Sequence, residues 1–244
     1  MMSYEAILFD MDGVIIDTHH AVTEFWQILA NERQMQLTEA DFQQHIYGCS
    51  LNHTFDTLFP QLNAQQRQVI LDRMEVYELN LSYTAIPGAV ALLRALKQAG
   101  VPTALVTSAF PWKVELVIRQ LGLAGLFKTL VTAADIQRGK PHPDGYLLGT
   151  QRLQLPPQRC LVFEDAVSGV QAAVTAGTAC VGVRPPETAA ALVTAGAFHT
   201  IPDFTAVTLQ AGANNGRPAA VYLRDGTGLS LPLLTSPAPD LARA

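Results

Sequence analysis

The chain has 244 residues, a formal net charge of -5, and 49% hydrophobic against 15% charged residues. That composition excludes intrinsic disorder and supplies enough apolar mass for one large core with a smaller companion. It also argues against nucleic acid as a partner, since no basic block is present, and against a membrane span, since no apolar run approaches the roughly 18 residues required.

The first residues, MMSYEAILFD, lack a basic region and an apolar signal core, so no export signal is expected. Cys49, Cys160 and Cys180 have neither disulfide nor zinc spacing, which points to a reducing, cytoplasmic compartment.

In chain order, AILF at 6–9 reads as a buried strand. Residues 19–86 carry two helical stripes with no strand between them: Val22, Phe25, Trp26, Leu29, then Ile70, Met74, Tyr77, Leu81. That stretch is too long for a plain connection, so it is read as a small helical insertion. From residue 88 helices and strands alternate: 88–99, then VPTALVT at 101–107; 111–121, then KTLVTA at 128–133; CLVF at 160–163; 168–176, then TACVGV; 187–195, then AFHTI. Gly100, Gly122, Gly177 and Gly196 follow the helices, as left-handed caps require. The pattern is α/β, a parallel sheet covered on both faces, built from 1–18 and 87–204. Residues 205–244 form an extension, with a hairpin signal at Asp225-Gly226 and a frayed tail, TSPAPDLARA. It is expected to be dispensable for chemistry.

The acids stand where strands end. Asp10 and Asp12 follow the first strand, and Glu164 and Asp165 close the run CLVFED. Parallel strands share one polarity, so all four carboxylates are expected at one edge, where they would repel one another. A hard cation resolves that repulsion, and oxygen-only ligands suit magnesium. Thr107 and Ser108 end another strand, and Lys140 in RGKPHPDGY adds a positive charge. Carboxylates, cation and lysine together admit an anionic substrate and suit phosphoryl transfer.

Four separated motifs, FDMDGVIIDT, VTSA, GKPHPD and FEDAVSGVQAA, resemble those of the haloacid dehalogenase superfamily, in its phosphatase and phosphoglucomutase-like branch. The resemblance covers roughly residues 5–200. It implies a Rossmann-like core with an inserted helical cap. It implies Asp10 as nucleophile, Asp12 as general acid/base, Thr107 as phosphate ligand, and Lys140 steadying both nucleophile and phosphate. It further implies magnesium held by Asp10, the Asp12 backbone carbonyl, Asp165 and Glu164. The activity implied is hydrolysis of small phosphate monoesters, sugar or polyol phosphates, through an aspartyl phosphate. A monomer or weak homodimer is the usual assembly.

The alternative is a sugar-phosphate mutase. Phosphoglucomutase-like members carry ligand-handling residues where this chain has Val22, Leu51, Phe110 and Pro111, with Lys113 nearby. Asp17 and Thr18 are expected to cap a helix rather than touch substrate. Ser108 is read equally as phosphate ligand or helix cap, His142 as a turn residue, and Trp26 and Trp112 as packing. Cys160 reads as core, and the stretch YGCSLNHTFDTLF at 47–59 as facing the substrate.

Overall fold

A computed structural model of the chain describes residues 3–211, 220–226 and 230–234. The described elements are β1 (Ala6–Phe9), α1 (His19–Glu32), α2 (Glu39–Asp41, continued by a π turn over Phe42–Ile46), α3 (Leu51–Leu58), α4 (Ala64–Leu79) and α5 (Ala89–Gln98). They continue with β2 (Thr103–Val106), α6 (Pro111–Leu121), β3 (Thr129–Val131), α7 (Asp144–Leu153), β4 (Cys160–Glu164), α8 (Val167–Thr175), β5 (Ala179–Val183), α9 (Ala190–Ala195) and β6 (His199–Ile201). Last come β7 (Thr208–Ala211), β8 (Ala220–Arg224) and β9 (Ser230–Leu234).

The first six strands form one parallel sheet in the order β3-β2-β1-β4-β5-β6. Alternation along β1 explains why both faces are covered. Ile7 and Phe9 pack with Leu92, Leu96, Val114 and Val117 from α5 and α6, whereas Ala6 and Leu8 pack with Tyr146, Val170 and Ala173 from α7 and α8. The strand order reverses beside β1, and β1 and β4 are neighbours there. In such sheets the crevice beyond the carboxyl ends at that switch point is where ligands bind. The expected α/β fold is therefore present, and Gly100, Gly122, Gly177 and Gly196 all take positive φ.

Helices α1 to α4 gather a second apolar cluster of their own, with Phe25, Trp26, Leu29, Phe42, Phe55, Phe59 and Ile70 at its centre. Trp26 stacks on Phe59 with ring centroids 5.6 Å apart. Of the second predicted stripe only Ile70 is fully buried, while Met74, Tyr77 and Leu81 are half-buried and face the crevice.

The hairpin expected at Asp225-Gly226 is β8 with β9, antiparallel, in the register Leu223↔Leu231. β7 adds a third strand that the sequence pattern did not reveal. This small sheet does not extend the large one. It covers the α5 side, where Leu223 and Leu233 are fully buried with Tyr4 in the main core, and Leu234 N–H donates to Tyr4 O at 2.7 Å. The expected tail at 235–244 lies outside the described residues.

Candidate active site

Asp10 is the first residue beyond β1 and is held there as strand pairing fades: its N–H donates to Phe163 O at 3.0 Å. It is 3% exposed. Its Oδ1 accepts from Lys140 Nζ at 2.6 Å, and the same ammonium donates to Glu164 Oε1. Glu164 ends β4, fully buried. Its Oε1 also accepts from Tyr146 O–H at 2.6 Å, and its Oε2 takes the backbone N–H groups of Asp165 and Ala166 at 3.1 and 3.3 Å. Gly169 makes room for this carboxylate, since a Cβ there would lie 1.9 Å from Oε1. Gly13 does the same for Asp165, whose Oδ2 would sit 2.1 Å from a Cβ.

Oxygens of Asp10, Glu164 and Asp165 lie within 4.8 Å of one another, the one acidic, His or Cys cluster of that kind among the described residues. Burial pushes the Asp10 carboxyl well above its usual value. Glu164 and Asp165 push the same way, while Lys140 pulls it back. The Lys140 ammonium is held above its usual value because attraction to Asp10 and Glu164 outweighs its desolvation. The donor set is all oxygen and short of positive charge, which fits a hard cation. Glu164 already spends both oxygens on protein donors, so Asp10 and Asp165 are the carboxylates with capacity left for a metal.

Asp12 stands at the same edge and lines the crevice with Asp10 and Asp165. Its carboxylate is not in the cluster. Oδ1 accepts from Thr18 Oγ1 at 2.8 Å and from Lys113 Nζ at 2.8 Å. Thr18 thereby corrects the capping expectation: it stands at the N-cap position of α1, but its hydroxyl serves Asp12 and caps nothing. A charged acceptor six residues back has outcompeted the local amide.

Thr107 follows β2, is 2% exposed, and anchors its N–H on Val131 O at 2.9 Å, which leaves it at the floor of the crevice. Its Oγ1 accepts from Ala109 N–H at 3.1 Å. Ser108 also lines the crevice, and its hydroxyl donates to Gly48 O at 3.1 Å, across to the helical unit. It caps no helix: the N-cap of α6 is Phe110. His142 is exposed in its turn, Trp26 is core, and Trp112 is half-buried at the crevice wall. Burial pushes the Cys160 thiol up to about 12, consistent with an inert core residue. Of the stretch 47–59, Tyr47, Gly48, Cys49 and Leu51 reach the crevice, whereas Phe55 and Phe59 are core.

Three site residues carried little signal in the sequence. Tyr146 lies beneath Lys140, its ring centroid 5.4 Å from Nζ. Lys113 and Glu78 form a part-buried ion pair at 2.9 Å beside Asp12. Lys113 precedes the apolar stripe of α6 by one residue, and Glu78 lies 35 residues earlier, so no local spacing joins them.

The sequence profile of the haloacid dehalogenase-like hydrolases matches residues 4–177. Hexitol phosphatase A of Escherichia coli is 37% identical over 191 residues, 76% of this chain and 85% of the relative. A phosphorylated carbohydrates phosphatase of Thermotoga maritima is 31% identical over 71% of this chain and 82% of its own length. The crystal structure of a putative beta-phosphoglucomutase from Thermotoga maritima superposes with a TM-score of 0.60 at 30% identity, covering 81% of this chain and 94% of that one. With strand-end acids, a buried lysine and a profile match spanning most of its length, the chain belongs to the haloacid dehalogenase-like hydrolases.

Proposed function

We propose that the chain is a magnesium-dependent phosphatase acting on small phosphate monoesters, sugar or polyol phosphates, through an aspartyl phosphate. The observation that carries this reading is Lys140, which bridges Asp10 and Glu164 inside a buried carboxylate cluster at the sheet's switch point. A nucleophilic carboxylate fixed by an ammonium, beside acids that gather around a cation, suits transfer of a charged phosphoryl group.

Asp10 attacks phosphorus as the ester P–O bond breaks, and Asp12 delivers a proton to the leaving alkoxide. Water, giving a proton to Asp12, then cleaves the aspartyl phosphate and releases inorganic phosphate. Thr107 and Lys140 hold the phosphoryl oxygens, with Ser108 beside them. Asp10, Asp165 and the Asp12 carbonyl would hold magnesium, with Glu164 behind them. Magnesium bound there neutralises phosphate charge and polarises its oxygens. Residues 19–86 serve as a cap over a core of 1–18 and 87–204. The enzyme works in the cytoplasm as a monomer or weak homodimer.

Water rather than a sugar is the acceptor in this reading. Val22, Leu51 and Phe110, at slots where mutase-like members handle phosphate, line the crevice as apolar side chains. A mutase needs a second cationic site for its bisphosphate. Release of phosphate from sorbitol 6-phosphate, lost in Asp10→Asn with the fold retained, tests the reading. Isomerisation of β-glucose 1-phosphate outpacing phosphate release would favour the mutase, and full turnover by Asp10→Asn would remove the nucleophile.

A further inference from the structure

The chemistry above makes no use of the second buried lysine. Lys113 sits in the first turn of α6 and is 6% exposed. Its Nζ donates to Asp12 Oδ1 at 2.8 Å and to Glu78 Oε1 at 2.9 Å, and lies 5.9 Å from the Tyr83 ring centroid. A buried ammonium is costly unless paired, so this lysine is committed to these two acceptors. They belong to different parts of the molecule: Asp12 follows β1, whereas Glu78 lies in the last turn of α4 in the helical unit.

The two hydrogen bonds on Asp12 are unevenly placed. Thr18 and Lys113 both donate to Oδ1, and among the described residues Oδ2 has no hydrogen-bond partner. Two donors converging on one oxygen fix the rotation of the carboxylate and aim the other oxygen. Asp12 and Lys113 both line the crevice, so that aim is set within it. Glu78 divides the ammonium with Asp12, so its grip exists only while α4 stands against α6.

We propose that Lys113 is a positioning residue: with Thr18 it pins Oδ1 of Asp12 so that Oδ2 faces the ester oxygen, and Glu78 ties that alignment to closure of the helical unit over the site. The proposal rests on the acid/base role of Asp12. In the step concerned, the proton passes from Oδ2 of Asp12 to the ester oxygen as the P–O bond breaks, and its electron pair leaves with the alcohol.

The experiment compares kcat/KM, which covers formation of the aspartyl phosphate and not its common hydrolysis, for sorbitol 6-phosphate, whose alkoxide needs a proton, and for p-nitrophenyl phosphate, whose phenolate does not. Lys113→Met is expected to lose about tenfold or more on the polyol phosphate and less than about threefold on the aryl ester, because only the former leans on general acid catalysis. Glu78→Gln is expected to keep the wild-type ratio of the two and to raise KM. Asp12→Asn is the reference for the split. If Asp12→Asn loses equally on both substrates, the acid role itself is wrong. If Asp12→Asn shows the split and Lys113→Met does not, the acid role stands and Lys113 is only a structural tie. Should Lys113→Met fail to fold, Lys113→Met/Glu78→Leu removes the stranded carboxylate and reads the same ratio. A double variant that also fails to fold would assign Lys113 to stability alone and overturn the proposal.

Discussion

Two buried lysines organise the crevice, each between two carboxylates, and they differ in what their acceptors are attached to. Lys140 holds Asp10 and Glu164, which lie at the ends of the neighbouring strands β1 and β4, in register through Phe9↔Phe163. Neither acceptor moves without breaking the sheet. Lys113 holds Asp12 and Glu78, one beyond the sheet and one in the helical unit. The first lysine is part of a rigid base for the proposed nucleophile. The second spans two separately packed clusters, so its geometry reports their relative position.

The comparison is broken hardest at Lys140. Lys140→Met leaves two carboxylates unpaired that are 4% and 0% exposed. Removing one partner of such a buried pair costs about 3–5 kcal/mol. Turnover should be lost on every substrate, good leaving group or poor, and the melting temperature should fall further than in Lys113→Met, whose acceptors Asp12 and Glu78 keep 28% and 13% exposure. Thermal melts of the two variants, each beside wild type, check the order. An equal fall in both would mean that strand anchoring does not distinguish the two sites.

Metal is expected to have the next largest effect, and its sign follows from Asp10. In the metal-free chain the folded-state value of this carboxyl is raised above the ordinary 3.8, burial being the main cause. Folded protein then binds more protons than unfolded protein between those two values. The associated stability is full below the ordinary value and is lost as pH rises through the raised one. Magnesium needs the ionised carboxylate, so its binding opposes that loss. The gain in melting temperature on adding magnesium should therefore grow from acidic to neutral pH, and excess chelator should abolish activity. A gain that shrinks as pH rises would contradict the assignment of Asp10 to the metal.

The rigid half of this comparison was legible in the sequence, and the spanning half was not. Asp10, Thr107, Glu164 and Asp165 stand at or just beyond strand ends, and short apolar runs between glycine-ended helices identify strands without ambiguity. Once the strands are parallel, their ends share an edge, and the positions of those residues follow. Lys113 has no such rule. Helical periodicity assigns a lysine to the solvated face, and only the sheet order brings the start of α6 beside the end of β1. Thr18 failed for a related reason, because the capping expectation counts local amides alone. The strand β7 was missed because Thr208–Ala211 is four residues long and makes sense only against β8.

The smallest expected effect sharpens the contrast by deleting one hydroxyl at each lysine. Tyr146→Phe removes the 2.6 Å hydrogen bond to Glu164 Oε1, yet Lys140 and two backbone amides still hold that carboxylate. A hydrogen bond to a charged group contributes about 1.5–3 kcal/mol, so stability should drop by up to that amount. Turnover should change little, since Asp10 keeps its own contact with Lys140. Thr18→Val removes the 2.8 Å hydrogen bond to Asp12 Oδ1 and leaves Lys113 as the donor there. Asp12 is partly exposed and water can replace the lost donor, so stability should hardly move. Its carboxylate, however, gains rotational freedom at the atom proposed to deliver the proton. kcat/KM for sorbitol 6-phosphate should fall several-fold while that for p-nitrophenyl phosphate is spared. The two deletions are chemically alike, so melts and the two-substrate ratio together show whether a hydroxyl serves the base of the site or the aim of its acid. Identical responses in both variants would erase the distinction between the two lysines.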